Sequence, residues 1–137
     1  MVWLVDPQWT PYPRRFSMYV HCAFVGCQTT IDILKIDIEC SEWSAFDAIL
    51  ASPRCVSNVK QLLVEFHPCD RATSSAHQLL HYWRTLRGVD RLGFKLWRVW
   101  NNFACKFTSR RLPGAVFYGC FNAYYLNVNY LAPKATQ

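Results

Sequence analysis

Ile31 to Ile38 is the segment that most restricts the fold. Ile31, Ile33, Leu34, Ile36 and Ile38 form a near-continuous and mostly β-branched run. Such a run suits a strand buried on both faces of a parallel sheet better than a strand with one wet face. Its carboxylates, Asp37 and Glu39, come at the end. Ser41 then stands where a helix cap belongs, Glu42 falls in the first turn, and Trp43, Phe46, Ile49 and Leu50 recur at helical spacing until Ser52-Pro53. Val59 to Phe66 repeats the arrangement, with Glu65 and His67 at its C-terminal end before Pro68. Ser75 and Gln78 have the spacing of a capping box, and the helix they open runs through Leu79, Leu80, Trp83 and Leu86 towards Gly88. Two strand-helix units with short connections predict an α/β domain built on a mostly parallel sheet.

The flanking segments extend this plan. Val2 to Val5 is a short apolar run closed by Asp6-Pro7, and Phe16 to Val25 is a second candidate strand ending at Gly26. Phe94 to Trp100 reads as a further strand. Asn122 to Tyr130 alternates, with Tyr124, Leu126, Val128 and Tyr130 on one face, which suggests an antiparallel C-terminal strand. The stretch between them, Asn101 to Phe121, is long for a structureless connection.

Composition removes several classes of protein. With 52% hydrophobic and 18% charged residues the chain does not have the profile of a disordered segment. Its 137 residues favour one domain over two. The net charge of +6 raises the question of nucleic acid, but Arg14-Arg15 and Arg110-Arg111 are isolated pairs and no binding motif accompanies them. No nucleic-acid partner is expected. No run approaches the ~18 apolar residues of a membrane span, and the start lacks the form of a signal peptide. Seven cysteines are scattered without a Cys-x-x-Cys pair, so buried free thiols are expected rather than zinc or a full disulfide framework, although some pairing stays open.

The segment Leu34-Lys35-Ile36-Asp37-Ile38-Glu39-Cys40-Ser41-Glu42-Trp43 resembles the L-K-I-D-x-E-G-x-E-W motif of the methyltransferase-like 24 proteins and the related FkbM-type methyltransferases. Gln61-Leu62-Leu63-Val64-Glu65-Phe66-His67 is similar to a second block of that family. A Trp-bearing helix, a Gly-Phe-x-Leu strand at Gly93 to Leu96 and an aromatic final strand follow in order. The likeness spans residues 31 to 130. It implies the C-terminal part of a Rossmann-like domain using S-adenosylmethionine, with residues 1 to 137 forming one truncated domain. It also implies that the Asn122 strand inserts antiparallel between the Val59 and Phe94 strands. The family has Gly where this chain has Cys40, a position at which glycine serves a tight turn or a close ligand approach.

In an open α/β sheet ligands bind outside the carboxyl ends of the strands. Asp37, Glu39, Glu65 and His67 are therefore the candidate catalytic residues, able to withdraw a proton from an unidentified methyl acceptor. The competing reading makes Asp37 and Glu39 caps and structural hydrogen-bonding groups. Leu4-Val5-Asp6-Pro7 resembles the family's F-D-P-S block, which implies Asp6 as a cofactor-binding residue on the ribose hydroxyls. No Gly-x-Gly turn precedes it, so the isolated chain is expected to bind cofactor poorly and to be inactive. Without a first strand beside it, the Ile31 strand should accept Val2 to Val5 or Phe16 to Val25 as a substitute, or associate with another copy through the open edge. Lys35 should pair with Asp32 or Asp37. His77 and His81 have the spacing of metal ligands without a third, and no metal is expected. The tryptophans, including Trp83, Trp97 and Trp100, are expected in the core or on a packing surface. The alternative to an enzyme is an inactive fragment or interaction module of the same fold.

Overall fold

A computed structural model describes residues 2–5, 30–68, 75–108 and 112–131. Seven strands and three helices are found among them. They are β1 (Val2–Val5), β2 (Ile31–Ile36), α1 (Glu42–Ala51), β3 (Val59–Phe66), α2 (Ala76–Arg91), β4 (Phe94–Asn101), β5 (Lys106–Thr108), β6 (Val116–Tyr118), β7 (Phe121–Asn127) and the single turn α3 (Val128–Leu131). The expected strand at Phe16 to Val25 lies outside the described residues, as does Asp6.

Five strands form one sheet in the order β1-β2-β3-β7-β4. β2 pairs in parallel with both β1 and β3, whereas β7 is antiparallel to β3 on one side and β4 on the other. The protein is thus mixed α/β with a largely sheet core, and the sheet itself is mixed. Only β7 is reversed, as the expected antiparallel C-terminal strand, and its place between β3 and β4 makes two of the four pairings antiparallel. The inserted position of β7 and the parallel adjacency of β2 and β3 agree with expectation. Val2–Val5 lies beside β2, taking the place anticipated for a substitute strand.

Alternation along β2 and β3 selects the core. Leu34, Ile36, Leu62, Val64 and Phe66 point to one face, where they meet Trp43, Phe46 and Ile49 from α1, Val89 from α2, and Ala123 and Tyr125 from β7. Phe66 is the centre of an aromatic group, with ring centroids 4.7 Å from Trp43, 5.6 Å from Phe46 and 5.3 Å from Phe121. These contacts fix how α1 lies on the end of β3, the part of the fold that carries the site.

Two local expectations differ in detail. Ser41 occupies the N-cap of α1 without a side-chain capping bond. Ser75 and Gln78 do form the reciprocal capping box of α2, but that helix continues past Gly88 to Arg91. Gly88 instead faces Leu50: a Cβ there would lie 2.6 Å from Leu50 Cδ1, so its small size allows α1 and α2 to approach. Gly93, with φ 95°, makes the turn out of α2, and its amide donates to the Asp90 carbonyl.

The connection from Asn101 to Phe121 has structure of its own. A 3-10 turn over Phe103–Cys105 leads into the antiparallel β5–β6 pair, and a disulfide joins Cys105 to Cys120. Cys40 is disulfide-bonded too. Free thiols were therefore the wrong expectation for these three cysteines, since cysteine spacing alone does not assign pairs.

Candidate functional site

The register of β2 and β3 builds the site. Ile36 stands opposite Val64 in the parallel pair. Asp37 and Glu65 are thus neighbours one step further on, and Glu39 and His67 occupy the next equivalent level where both chains leave the sheet. The strands' carboxyl ends thereby bring together all four residues singled out as catalytic candidates. Donor atoms of Asp37, Glu65 and His67 lie within 4.8 Å of one another. His67 Nε2 is 3.8 Å from Glu39 Oε2 and 3.8 Å from Glu65 Oε1.

After β2 the backbone turns sharply at Glu39 and Cys40, whose φ values are 47° and 82°. Both are left-handed, a conformation that costs an L-residue roughly 1–2 kcal/mol. The cysteine that replaces glycine in the resembled motif thus occupies a positive-φ position. The turn closes with Ser41 N–H donating to the Ile38 carbonyl at 3.2 Å, and it delivers Glu42 directly into the start of α1.

Glu42 is the residue whose role sequence reasoning missed. Its side chain is fully buried, and Oε1 accepts both the Ile38 amide at 2.9 Å and His67 Nδ1–H at 2.9 Å. Its other oxygen, Oε2, has no hydrogen-bond partner among the described residues. The adjacent Trp43 donates its indole N–H to the His67 carbonyl at 3.0 Å. Glu42 and Trp43 therefore hold the imidazole and the backbone of the same histidine. The signal available in the sequence was an acid one residue before a tryptophan at a helix start, but a first-turn acid has an ordinary explanation in the helix dipole.

The His67 imidazole is nearly inaccessible, and its pKa is held above the ordinary histidine value. The hydrogen bond to Glu42 is the largest cause, burial opposes it, and the charges of Glu42, Glu39 and Glu65 add to it. With Nδ1–H given to Glu42, proton exchange or ligation falls to Nε2, on the side of the other carboxylates.

The surrounding groups are also set by hydrogen bonds. Lys35 Nζ pairs with Asp37 Oδ2 at 2.9 Å, one of its two expected partners, and Asp32 goes to Lys60 instead. Asn102, another residue the sequence did not single out, donates to Glu65 Oε1 at 2.6 Å while its Oδ1 accepts the Ala104 amide. It links the β5–β6 unit to the site. His81 pairs with Asp47 on α1 at 2.9 Å, giving it a helix-joining role apart from His77. Trp83, Trp97 and Trp100 are more than half exposed, contrary to a core placement.

Among the described residues no helix is long and apolar enough to cross a membrane. Neither protein-family models, curated proteins nor solved structures provide a match to this chain.

Proposed function

We propose that this chain is the acceptor-side portion of a methyltransferase-type domain that uses S-adenosylmethionine. The carrying observation is the gathering of Asp37, Glu39, Glu65 and His67 at the carboxyl ends of parallel neighbours, within the motif that resembles the methyltransferase-like 24 and FkbM-type families. Reversed β7 between β3 and β4 supports the same reading, since the resemblance implies that insertion. In this reading the sheet is the C-terminal part of a Rossmann-like arrangement. The cluster's carboxylates or His67 Nε2 take the proton of an acceptor hydroxyl or amine as the methyl group transfers, with Glu42 orienting the imidazole.

Cofactor affinity in Rossmann-like sites depends on a glycine-rich turn after the first strand. The 137 residues contain no Gly-x-Gly, and the position beside β2 is taken by Val2–Val5. The chain alone should therefore bind S-adenosylmethionine weakly and transfer methyl groups poorly. Asp6 remains the proposed ribose contact. Calorimetry with S-adenosylmethionine and S-adenosylhomocysteine tests this directly: feeble binding is expected, whereas a dissociation constant near ~1 μM, about 8 kcal/mol, contradicts the incomplete-site reading.

A second reading, an interaction module without methyl transfer, is favoured by β4 and the turn that follows it. Leu96, Trp97, Val99, Trp100 and Phe103 are all exposed. Exposed large apolar side chains along an edge strand are more typical of an interface than of an isolated monomer. Loss of self-association or partner capture on Trp97→Ser/Trp100→Ser replacement, without loss of fold, would support it.

A further inference from the structure

We infer that Asp37, Glu65 and His67 form a binding site for one divalent transition cation. The site uses three residues of the methyl-transfer reading but does not depend on that reading: with the cation bound, His67 Nε2 is a ligand and no longer a proton acceptor. The first observation is geometric. Three donor atoms within 4.8 Å of one another share a centre about 2.8 Å or less from each, so less than an ångström of closure reaches bond lengths of ~2.0–2.2 Å. The Nε2 to Glu65 Oε1 separation of 3.8 Å is too long for a direct hydrogen bond and suits two atoms bridged by an ion.

The second observation is independent of the carboxylate cluster. Glu42 is fully buried, holds His67 Nδ1 at 2.9 Å, and has an oxygen with no hydrogen-bond partner among the described residues. A buried carboxylate on the far nitrogen of an imidazole fixes its tautomer and makes Nε2 a stronger metal donor. Glu42 Oε1 also accepts the Ile38 amide at the turn, but that bond alone does not use the carboxylate's second oxygen. The carboxylate is well used when the histidine it orients must carry a cation.

The donor set selects the class of ion. Two carboxylates with one imidazole combine hard oxygen and borderline nitrogen, a set suited to manganese, iron or zinc, whereas calcium and magnesium prefer oxygen throughout. Asp37 retains accessibility, so solvent can complete the coordination. The neighbours must adjust: Lys35 has to leave Asp37 for solvent, and Asn102, which donates to the same Glu65 Oε1 that faces Nε2, has to share that oxygen with the ion or release it. Glu39 Oε2, 3.8 Å from Nε2, is close enough to join the shell.

Manganese is the suitable probe, because the chain's cysteines would confound a zinc titration. Mn²⁺ chloride is added to the purified chain while the electron paramagnetic resonance signal of free Mn²⁺ is followed, with Mg²⁺ and Ca²⁺ as competitors. The expected result is one bound ion per chain that neither competitor displaces at equal concentration. Asp37→Asn and Glu65→Gln should each weaken binding by more than ~10-fold, the scale on which metal sites respond to loss of supporting groups. Asp90→Asn, which alters a surface acid paired with Lys95, should leave binding unchanged. Circular dichroism identifies any variant that fails to fold, and the two ligand variants provide independent tests. The inference is overturned if the wild-type chain leaves the free Mn²⁺ signal intact, if a folded ligand variant binds as well as wild type, or if Asp90→Asn weakens binding equally.

Discussion

At the scale of single residues, Glu42 carries the most consequence. It satisfies the Ile38 amide at the turn and the His67 ring across 25 residues of chain, so removing it leaves two buried donors without an acceptor. Breaking a buried pair of this kind costs about 3–5 kcal/mol. Glu42→Ala should lower unfolding free energy by that amount in urea titration. Glu42→Gln, which keeps an acceptor oxygen and the shape, should lose markedly less. Equal stability of Glu42→Ala and wild type would show that the buried carboxylate does not hold this edge together. The carboxylates at the strand ends were legible in the sequence because a parallel strand announces its own C-terminus. Glu42 was not, because its bond to His67 joins segments whose proximity exists only after β3 has docked beside β2.

At the scale of elements, each strand-helix unit was legible where local and tertiary preference agreed. The β-branched run gave β2, and Ser75 with Gln78 gave the start of α2. The helix end was misplaced because Gly88 is used for approach to Leu50, whereas Gly93 makes the actual turn. Gly93→Ala must adopt positive φ and push against the side chain of Asn129, which itself donates to the Leu92 carbonyl. A loss of ~1–2 kcal/mol or more is expected in the same titration, from backbone strain alone. The β5–β6 unit was illegible because three-residue strands have too little alternation to read and its closure depends on a disulfide. Cys105 and Cys120 are 15 residues apart, a span for which loop closure predicts about 3 kcal/mol of stabilisation. Replacing both with serine should lower stability by up to this value and increase amide exchange in β5 and β6. Unchanged exchange there would show that Asn102 and the hairpin's own packing hold the unit.

At the scale of the whole molecule, the sheet's two ends have different environments. β1 extends the parallel part, whereas β4 presents apolar side chains to solvent and has no outer strand neighbour among the described residues. Its tryptophans were expected in the core or on a packing surface, and the edge position of β4, which sequence does not show, leaves them exposed. The core itself supplies a pH test. Burial pushes the Tyr125 hydroxyl up from 10.0 to about 12. A raised folded-state pKa means that the unfolded chain ionises first, so this residue leaves stability unchanged below pH 10 and lowers it from there through about pH 12. Tyr125→Phe should flatten that alkaline fall in thermal melts, and an undiminished fall would assign it to other groups.

The proposed function requires the carboxyl ends of β2 and β3 to be the ligand edge of the sheet. Amide chemical-shift mapping of the isotope-labelled chain during titration with S-adenosylmethionine tests it most directly. Weak, fast-exchanging shifts concentrated at Asp37 to Glu42 and Glu65 to His67, reproduced by S-adenosylhomocysteine, are predicted. A titration that leaves this edge unmoved, or perturbs only β4 and the β5–β6 unit, would contradict the claim.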